Sequence, residues 1–280
     1  MNRQSQHEAS ETYLLGQTPE AIQRLLVQGR MLNPFTRRVL EDAGITRGMK
    51  VLDVGCGPGD VSLIAADLVG ETGSVLGIDS SLEPLRLAQS RVQEASLTQV
   101  SFHAGDILDL TLDQEFDAIV GRFILMHLPE PAAVVRHLTQ YLRPGGVVVF
   151  QEYDLASHSD AFYPPSLLWE LVWLWCTRAF QQAGGELATG RKLSTTLQEA
   201  GLAVPQMRYE SAMGGGQDWI GYEWWAETVR IFLPLIQQFG IATEQDISID
   251  TLAERLREET VSRRGVARGP VLVSAWVRKR

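Results

Sequence analysis

Apolar positions in the first half of the chain fall into short β-branched runs, separated by longer stretches in which they recur at helical spacing. The runs are Lys50–Val54, Ser74–Asp79, Val100–His103, Phe116–Val120 and Gly146–Glu152. The stretches between them predict helices at Asp60–Val69, Ser81–Glu94 and Pro131–Leu142. Strands alternating with helices of this length form a parallel sheet through right-handed crossovers, the pattern of a doubly wound α/β fold. Farther on, Lys192–Ala200 reads as a helix stopped by Gly201, Gln206–Ser211 as a strand and Val271–Val277 as a last strand. The sheet is therefore expected to end antiparallel.

Two helical insertions interrupt the scheme, at about 160–185 and 216–262, and they hold six of the seven tryptophans. Trp169, Trp173 and Trp175 sit in a stretch that is apolar nearly all round, so core packing is the expected role. Ahead of the first strand, Thr18-Pro19-Glu20 has the form of an N-cap, an N1 proline and a first-turn acid, opening a helix to about Leu32. Residues 1–32 are accordingly expected to form a helical arm or lid, and 33–280 the main domain with its insertions. There is no internal repeat.

The 280 residues carry 25 Lys+Arg against 34 Asp+Glu, a net charge of −9. That balance lacks the basic footprint that duplex nucleic acid or an anionic membrane would need, so the expected partner is a small molecule. Two cysteines, Cys56 and Cys176, make neither a disulfide framework nor a zinc site, and fit a reducing cytoplasm. The polar N-terminus has no apolar leader core, and the richest apolar run, Leu167–Cys176, is short and broken by Glu170, so no membrane span is expected. No metal ligands cluster, and a homo-oligomer is left open.

The densest chemistry lies in Val51-Leu52-Asp53-Val54-Gly55-Cys56-Gly57-Pro58-Gly59-Asp60, a strand entering a glycine turn and then a helix. Glycines there allow backbone to approach a ligand closely. Their G-x-G-x-G spacing differs from the G-x-G-x-x-G that seats a dinucleotide pyrophosphate. Asp79, at the end of the second strand, suits a pair of ribose hydroxyls, and Asp106, after Gly105, suits an adenine amino group with Ile107 against the ring. Three acids and no phosphate-binding Lys or Arg favour a ligand with positive charge, such as a sulfonium bearing an α-amino group.

With these residues in view, the chain resembles the class I S-adenosylmethionine-dependent methyltransferases. The resemblance covers about Met49 to Phe150: the glycine motif, Asp79, Gly105-Asp106, Phe116-Asp117-Ala118-Ile119-Val120, and Leu142-Arg143-Pro144-Gly145-Gly146. It implies a Rossmann-like, seven-stranded, mostly parallel sheet with an antiparallel last strand, and S-adenosyl-L-methionine as cofactor. Carried over residue by residue, Gly55 and Gly57 would contact the methionine part, Asp79 with Ser80 beside it the ribose, and Asp106 with Ile107 the adenine. Asp53 would bind the amino group through water or hold the loop, Cys56 would be a small turn residue and no nucleophile, and Arg122 would meet the cofactor at the sheet edge. On the front segment Tyr13, Arg24 and Gln28 are candidates, with Arg24 reaching the methionine carboxylate.

After the fourth strand stands Gly121-Arg122-Phe123-Ile124-Leu125-Met126-His127-Leu128-Pro129, without the Asn/Asp-Pro-Pro-aromatic run of methyltransferases acting on amides or exocyclic base nitrogens. The stretch resembles the branch containing quinone-biosynthesis and secondary-metabolite enzymes. The resemblance implies methyl transfer to an O, N or C atom of a small, partly apolar acceptor, with the helical insertions as an apolar cover. His127 is the candidate general base, while His158, Glu152 and Tyr153 compete less well. The alternatives are a protein- or RNA-directed methyltransferase of the same fold, an NAD-dependent oxidoreductase, and a cofactor-binding protein without catalysis.

Overall fold

The protein is described here as a computed structural model covering residues 19–156 and 161–280. Tyr13 and His158 lie outside the described residues. The strands in chain order are β1 (Lys50–Val54), β2 (Ser74–Asp79), β3 (Val100–Ala104), β4 (Phe116–Arg122), β5 (Leu142–Asp154), β6 (Phe162–Tyr163), β7 (Gln206–Glu210), β8 (Met213–Gly214), β9 (Val266–Arg268) and β10 (Val271–Arg278). The helices are α1 (Pro19–Asp42), α2 (Asp60–Val69), α3 (Leu82–Glu94), α4 (Pro131–Leu138), α5 (Leu167–Gln182), α6 (Thr189–Glu199), α7 (Gly221–Gln238), α8 (Glu244–Ile247) and α9 (Leu252–Ser262).

The chain divides into two compact units. The larger comprises 28–158, 187–212 and 269–280, and is built on a seven-stranded sheet of order β3-β2-β1-β4-β5-β10-β7. β1 to β5 run parallel, while β10 lies antiparallel between β5 and β7. Successive side chains of a strand point to opposite faces, and the core follows that rule. Leu52, Ile119, Val148 and Phe150 pack with Val135 and Leu138 of α4 and Leu193 and Leu197 of α6. Their neighbours Val51, Ala118, Val120, Val147 and Val149 pack with Val39 and Leu40 of α1 and Ile64 and Ala65 of α2. Strand order reverses beside β1, which opens a crevice at the carboxyl ends of β1 and β4, where open α/β sheets bind ligands.

The smaller unit comprises residues 1–27, 159–186 and 213–268. It contains α5, α7 and α9 and a three-stranded sheet of order β6-β9-β8. Its tryptophans are core: Trp169, Trp173 and Trp175 are buried, and Trp169 lies 6.2 Å from Trp225 edge to face. The Trp169 indole N–H donates to Thr260 Oγ1 at 2.9 Å.

Three boundaries differ most from the sequence reading. α1 does not stop at Leu32 but runs to Asp42, because its buried stripe continues through Thr36, Val39 and Leu40 and the interior Pro34 falls on the exposed side. The helix after β4 ends at Leu138 and closes with a 3-10 turn, Thr139–Tyr141, so that β5 begins at Leu142. The glycine pair expected to precede β5 lies inside it, where the register shifts between Phe116 and Ala118 and Gly145 takes φ +74°. The small sheet was not anticipated, since strands of two or three residues are too short to show a period of two. Among the described residues no helix is long and apolar enough to cross a membrane.

Candidate cofactor site

Residues 54–60 leave β1 and turn sharply into α2, with Gly55, Gly57 and Gly59 at φ +68°, +52° and +84°. These are left-handed conformations in which a Cβ is strained. The turn is tied to β2, because the Gly55 and Cys56 amides both donate to the Ile78 carbonyl, at 2.8 and 3.0 Å. A Cβ on Gly55 would lie 2.7 Å from Cδ1 of Ile124, whereas one on Gly57 would meet nothing within 4 Å. The turn therefore presses against the β4 exit on one side and opens to space at Gly57.

One carboxylate, Asp79, meets that opening, and a second, Asp53, lies on β1 just before the turn. Asp79 Oδ2 accepts from the Gly57 amide and Oδ1 from the Ser81 amide, each at 2.8 Å. Burial pushes its pKa up, and the amide hydrogen bonds work against that rise. Asp53 is wholly buried; its Oδ2 accepts from Ser62 Oγ at 2.5 Å, and its Oδ1 has no hydrogen-bond partner. Burial raises its pKa to about 7 against the pull of the Ser62 hydroxyl and the Arg122 charge. Cys56 is buried, and burial together with the charges of Asp53 and Asp79 drives its thiol pKa upward, so it is no thiolate nucleophile.

Arg122 is held at the edge of the turn. Its guanidinium donates to Asn33 Oδ1 at 3.1 Å and Thr36 Oγ1 at 2.8 Å on α1, and lies 4.0 Å from Asp60. Burial lowers its pKa, and Asp60, Tyr153 and Asp53 act in the opposite direction. Asp60 itself accepts from Arg91 at 3.0 Å and Asn33 at 3.3 Å, while Arg91 also donates to the Pro58 carbonyl at 2.5 Å. These bonds bolt the back of the glycine turn to α1 and α3.

The structure thus gathers Asp53, Gly55, Cys56, Gly57, Asp79 and Arg122 around one turn. Ser80 is exposed, and the donor to the Asp79 side chain is its neighbour Ser81, which sequence reasoning did not single out. Asp106 is exposed with its Oδ1 accepting the Leu108 amide at 2.9 Å, and Ile107 is buried. The backbone just before them is joined to β2, since the Gly105 amide donates to the Asp79 carbonyl at 3.0 Å. Gln28 and Arg24 are both buried one turn apart on α1. His127 ends a 3-10 turn, Leu125–His127, and is half-buried. Asp60, Ser62 and Asn33 were also missed, although an acid immediately after the last glycine of the turn is a visible signal.

A family described as a methyltransferase domain matches residues 45–201, more than half of the chain. The chain belongs to that family, the class I S-adenosylmethionine-dependent methyltransferases, and the oxidoreductase reading falls away. A Staphylococcus aureus (strain MRSA252) protein named demethylmenaquinone methyltransferase is 37% identical over 119 residues, 42% of this chain and 48% of that protein. The chain spans about half the length of the curated relatives it matches. A solved S-adenosylmethionine-dependent methyltransferase from Aquifex aeolicus superposes with a TM-score of 0.52 at 23% identity, over 69% of this chain and 92% of that one. The solved 4+2 cyclase SpnF superposes with a TM-score of 0.56 at 22% identity, over 88% and 81% of the two chains. At such identities the two structures establish the fold alone.

Proposed function

We propose that the protein transfers a methyl group from S-adenosylmethionine to an O, N or C atom of a small, partly apolar acceptor. The observation that carries this reading is the opening at Gly57, whose amide is held by the Asp79 carboxylate, at the end of a strand that also carries a buried Asp53 oxygen without a partner. Such a donor-poor, acid-lined cradle fits a ribose diol and an ammonium group and offers nothing to a pyrophosphate. When bound, the cofactor would supply an electrophilic methyl carbon on a sulfonium, open to in-line attack by an electron pair of the acceptor with the neutral thioether as leaving group.

The chain's own residues would then divide the work. Asp79 accepts from the ribose hydroxyls, held rigid by the Gly57 and Ser81 amides. Asp53 faces the amino group, and Gly55 and Gly57 let backbone come close to the methionine part. Asp106 takes the adenine amino group, with Ile107 on the ring face. Arg122 holds the turn against α1. His127 removes the acceptor's proton where the acceptor must lose one. Positioning supplies most of the rate, about 7–11 kcal/mol of barrier in well-oriented systems.

The acceptor is proposed to be a quinol-like or related aromatic small molecule. This is supported by the similarity to a protein named demethylmenaquinone methyltransferase and by a net charge of −9, the opposite of the basic excess that suits nucleic acid. Two buried free cysteines fit a cytoplasmic setting. Calorimetry with S-adenosylhomocysteine and NADH, followed by transfer of a radiolabelled methyl group to a panel of naphthoquinols and phenols, tests the proposal. Binding of the first nucleoside only, with label in a small product, is the expected result. Tight S-adenosylhomocysteine binding with label going only to RNA or protein would overturn the acceptor class.

A further inference from the structure

Glu152 has no part in the chemistry above, yet it is among the most buried acids of the described residues, on β5 beside the carboxyl end of β4. Its Oε1 accepts two successive backbone amides, Ile124 at 3.0 Å and Leu125 at 2.7 Å. Those amides open the 3-10 turn Leu125–His127, whose own N-cap residue offers no side-chain hydrogen bond. The first amides of a helical turn lack intrahelical partners, so a carboxyl from a neighbouring strand replaces the missing cap. Just upstream the Phe123 amide donates to the Gln151 carbonyl at 2.9 Å, and its ring stacks on Tyr153 with centroids 4.1 Å apart. Three consecutive amides of the β4 exit are thus pinned to two consecutive residues of β5, and a ring stack joins the exit to the next one.

The pinning goes with φ +59° at Phe123, a strained conformation for a non-glycine residue. It also leaves Glu152 Oε2 buried without a partner. Neither cost is required by the sheet, whose β4–β5 pairing is complete by Arg122 and Gln151. What they secure is the seat of Ile124, whose side chain rests where a Cβ of Gly55 would stand.

We propose that Glu152 is a positioning residue: by capping the turn after β4 it sets Ile124 against Gly55, and so fixes both the wall of the cofactor's glycine turn and the place of His127. The proposal rests on the reading that the cofactor binds at that turn. Burial lifts the Glu152 pKa to about 8, against the pull of the backbone amides it accepts from. Glutamine is a close replacement, because its amide oxygen accepts the same two N–H groups.

The test is a double-mutant cycle on the dissociation constant of S-adenosylhomocysteine, using Glu152→Leu, Ile124→Ala and the pair, with Glu152→Gln alongside. Glu152→Leu and Ile124→Ala should each weaken binding by about tenfold, and the double variant by much less than the product, because both remove one arrangement. Glu152→Gln should return affinity to within about threefold of wild type, a rescue that loss of general stability would not give. Multiplicative effects of the two substitutions would overturn the proposal. So would a Glu152→Gln variant with normal affinity but turnover as low as the leucine variant, which would make Glu152 a group acting on the acceptor. If the leucine variant does not fold, hydrogen exchange of the wild-type protein decides: the Ile124 and Leu125 amides should gain at least about tenfold protection with S-adenosylhomocysteine bound, and unaltered exchange there sinks the idea. Failure of wild type to bind the nucleoside at all would instead strike the proposed function.

Discussion

Asp79 accepts two backbone amides that lie 24 residues apart in sequence, Gly57 and Ser81, so it serves the glycine turn as well as any ligand. Replacing it with alanine removes hydrogen bonds to a charged acceptor worth about 1.5–3 kcal/mol each. Asp79→Ala should therefore weaken S-adenosylhomocysteine binding at least about tenfold by calorimetry, with a folded protein by circular dichroism. Unchanged affinity would remove Asp79 from the site. His127→Ala should lower kcat about 100-fold with cofactor affinity intact, if the acceptor loses a proton to it. Full turnover would leave proximity alone as the source of rate. Residues such as Asp53, Gly57 and Asp79 are legible in sequence because a strand, a tight turn and a strand end fix their places over short distances. Glu152 was visible only as a lesser candidate base, since its partners are 27 and 28 residues away and its role exists only once β4 and β5 lie side by side.

Among the elements, α1 shows how a helix is matched to a turn. Gly29 sits where a Cβ would come within 2.8–2.9 Å of the Asp60 carboxylate, which Arg91 and Asn33 hold in place. Alanine normally gains about 1 kcal/mol over glycine inside a helix. Here overpacking costs about 1–3 kcal/mol, because the carboxylate cannot swing away without breaking its ion pair. Gly29→Ala should thus lower the thermal midpoint despite better helix propensity, and a raised midpoint would show that α1 yields instead. The strands of the large sheet and α2 were readable because each is long enough to show its period. The run of α1 beyond Leu32 was not, because Pro34 signals a stop in sequence and is tolerated only where its face meets solvent. Early entry into β5 was hidden for a similar reason: a proline and two glycines normally end an element, and here a register shift absorbs them.

For the molecule as a whole, Asp53 and Glu152 make stability depend on pH. Both have folded pKa values raised by burial, to about 7 and about 8, so the folded protein holds protons that the unfolded chain has released. Stability is fully present below the unfolded carboxylate values and falls as pH rises toward the folded ones, by at most about 1.4 kcal/mol per pH unit for each group. Urea midpoints of the ligand-free protein should decline from pH 5 to pH 8, and Asp53→Asn with Glu152→Gln should flatten that decline. A wild-type slope surviving in the double variant would assign it to the net charge of −9 instead. The division into two units has a further consequence. Two segments of the smaller unit, 161–186 and 213–268, are inserted in the chain of the larger one at closed necks: the Leu155 amide donates to the Leu187 carbonyl at 2.7 Å, and the Gly269 amide to the Ala212 carbonyl at 2.9 Å. Between the necks the two segments share one core, with Trp169 against Trp225 and its indole N–H on Thr260, so neither can be exchanged without the other. Exchanged together for the matching pair from a relative, they form one block whose replacement leaves the strands and glycine turn of the larger unit untouched in sequence.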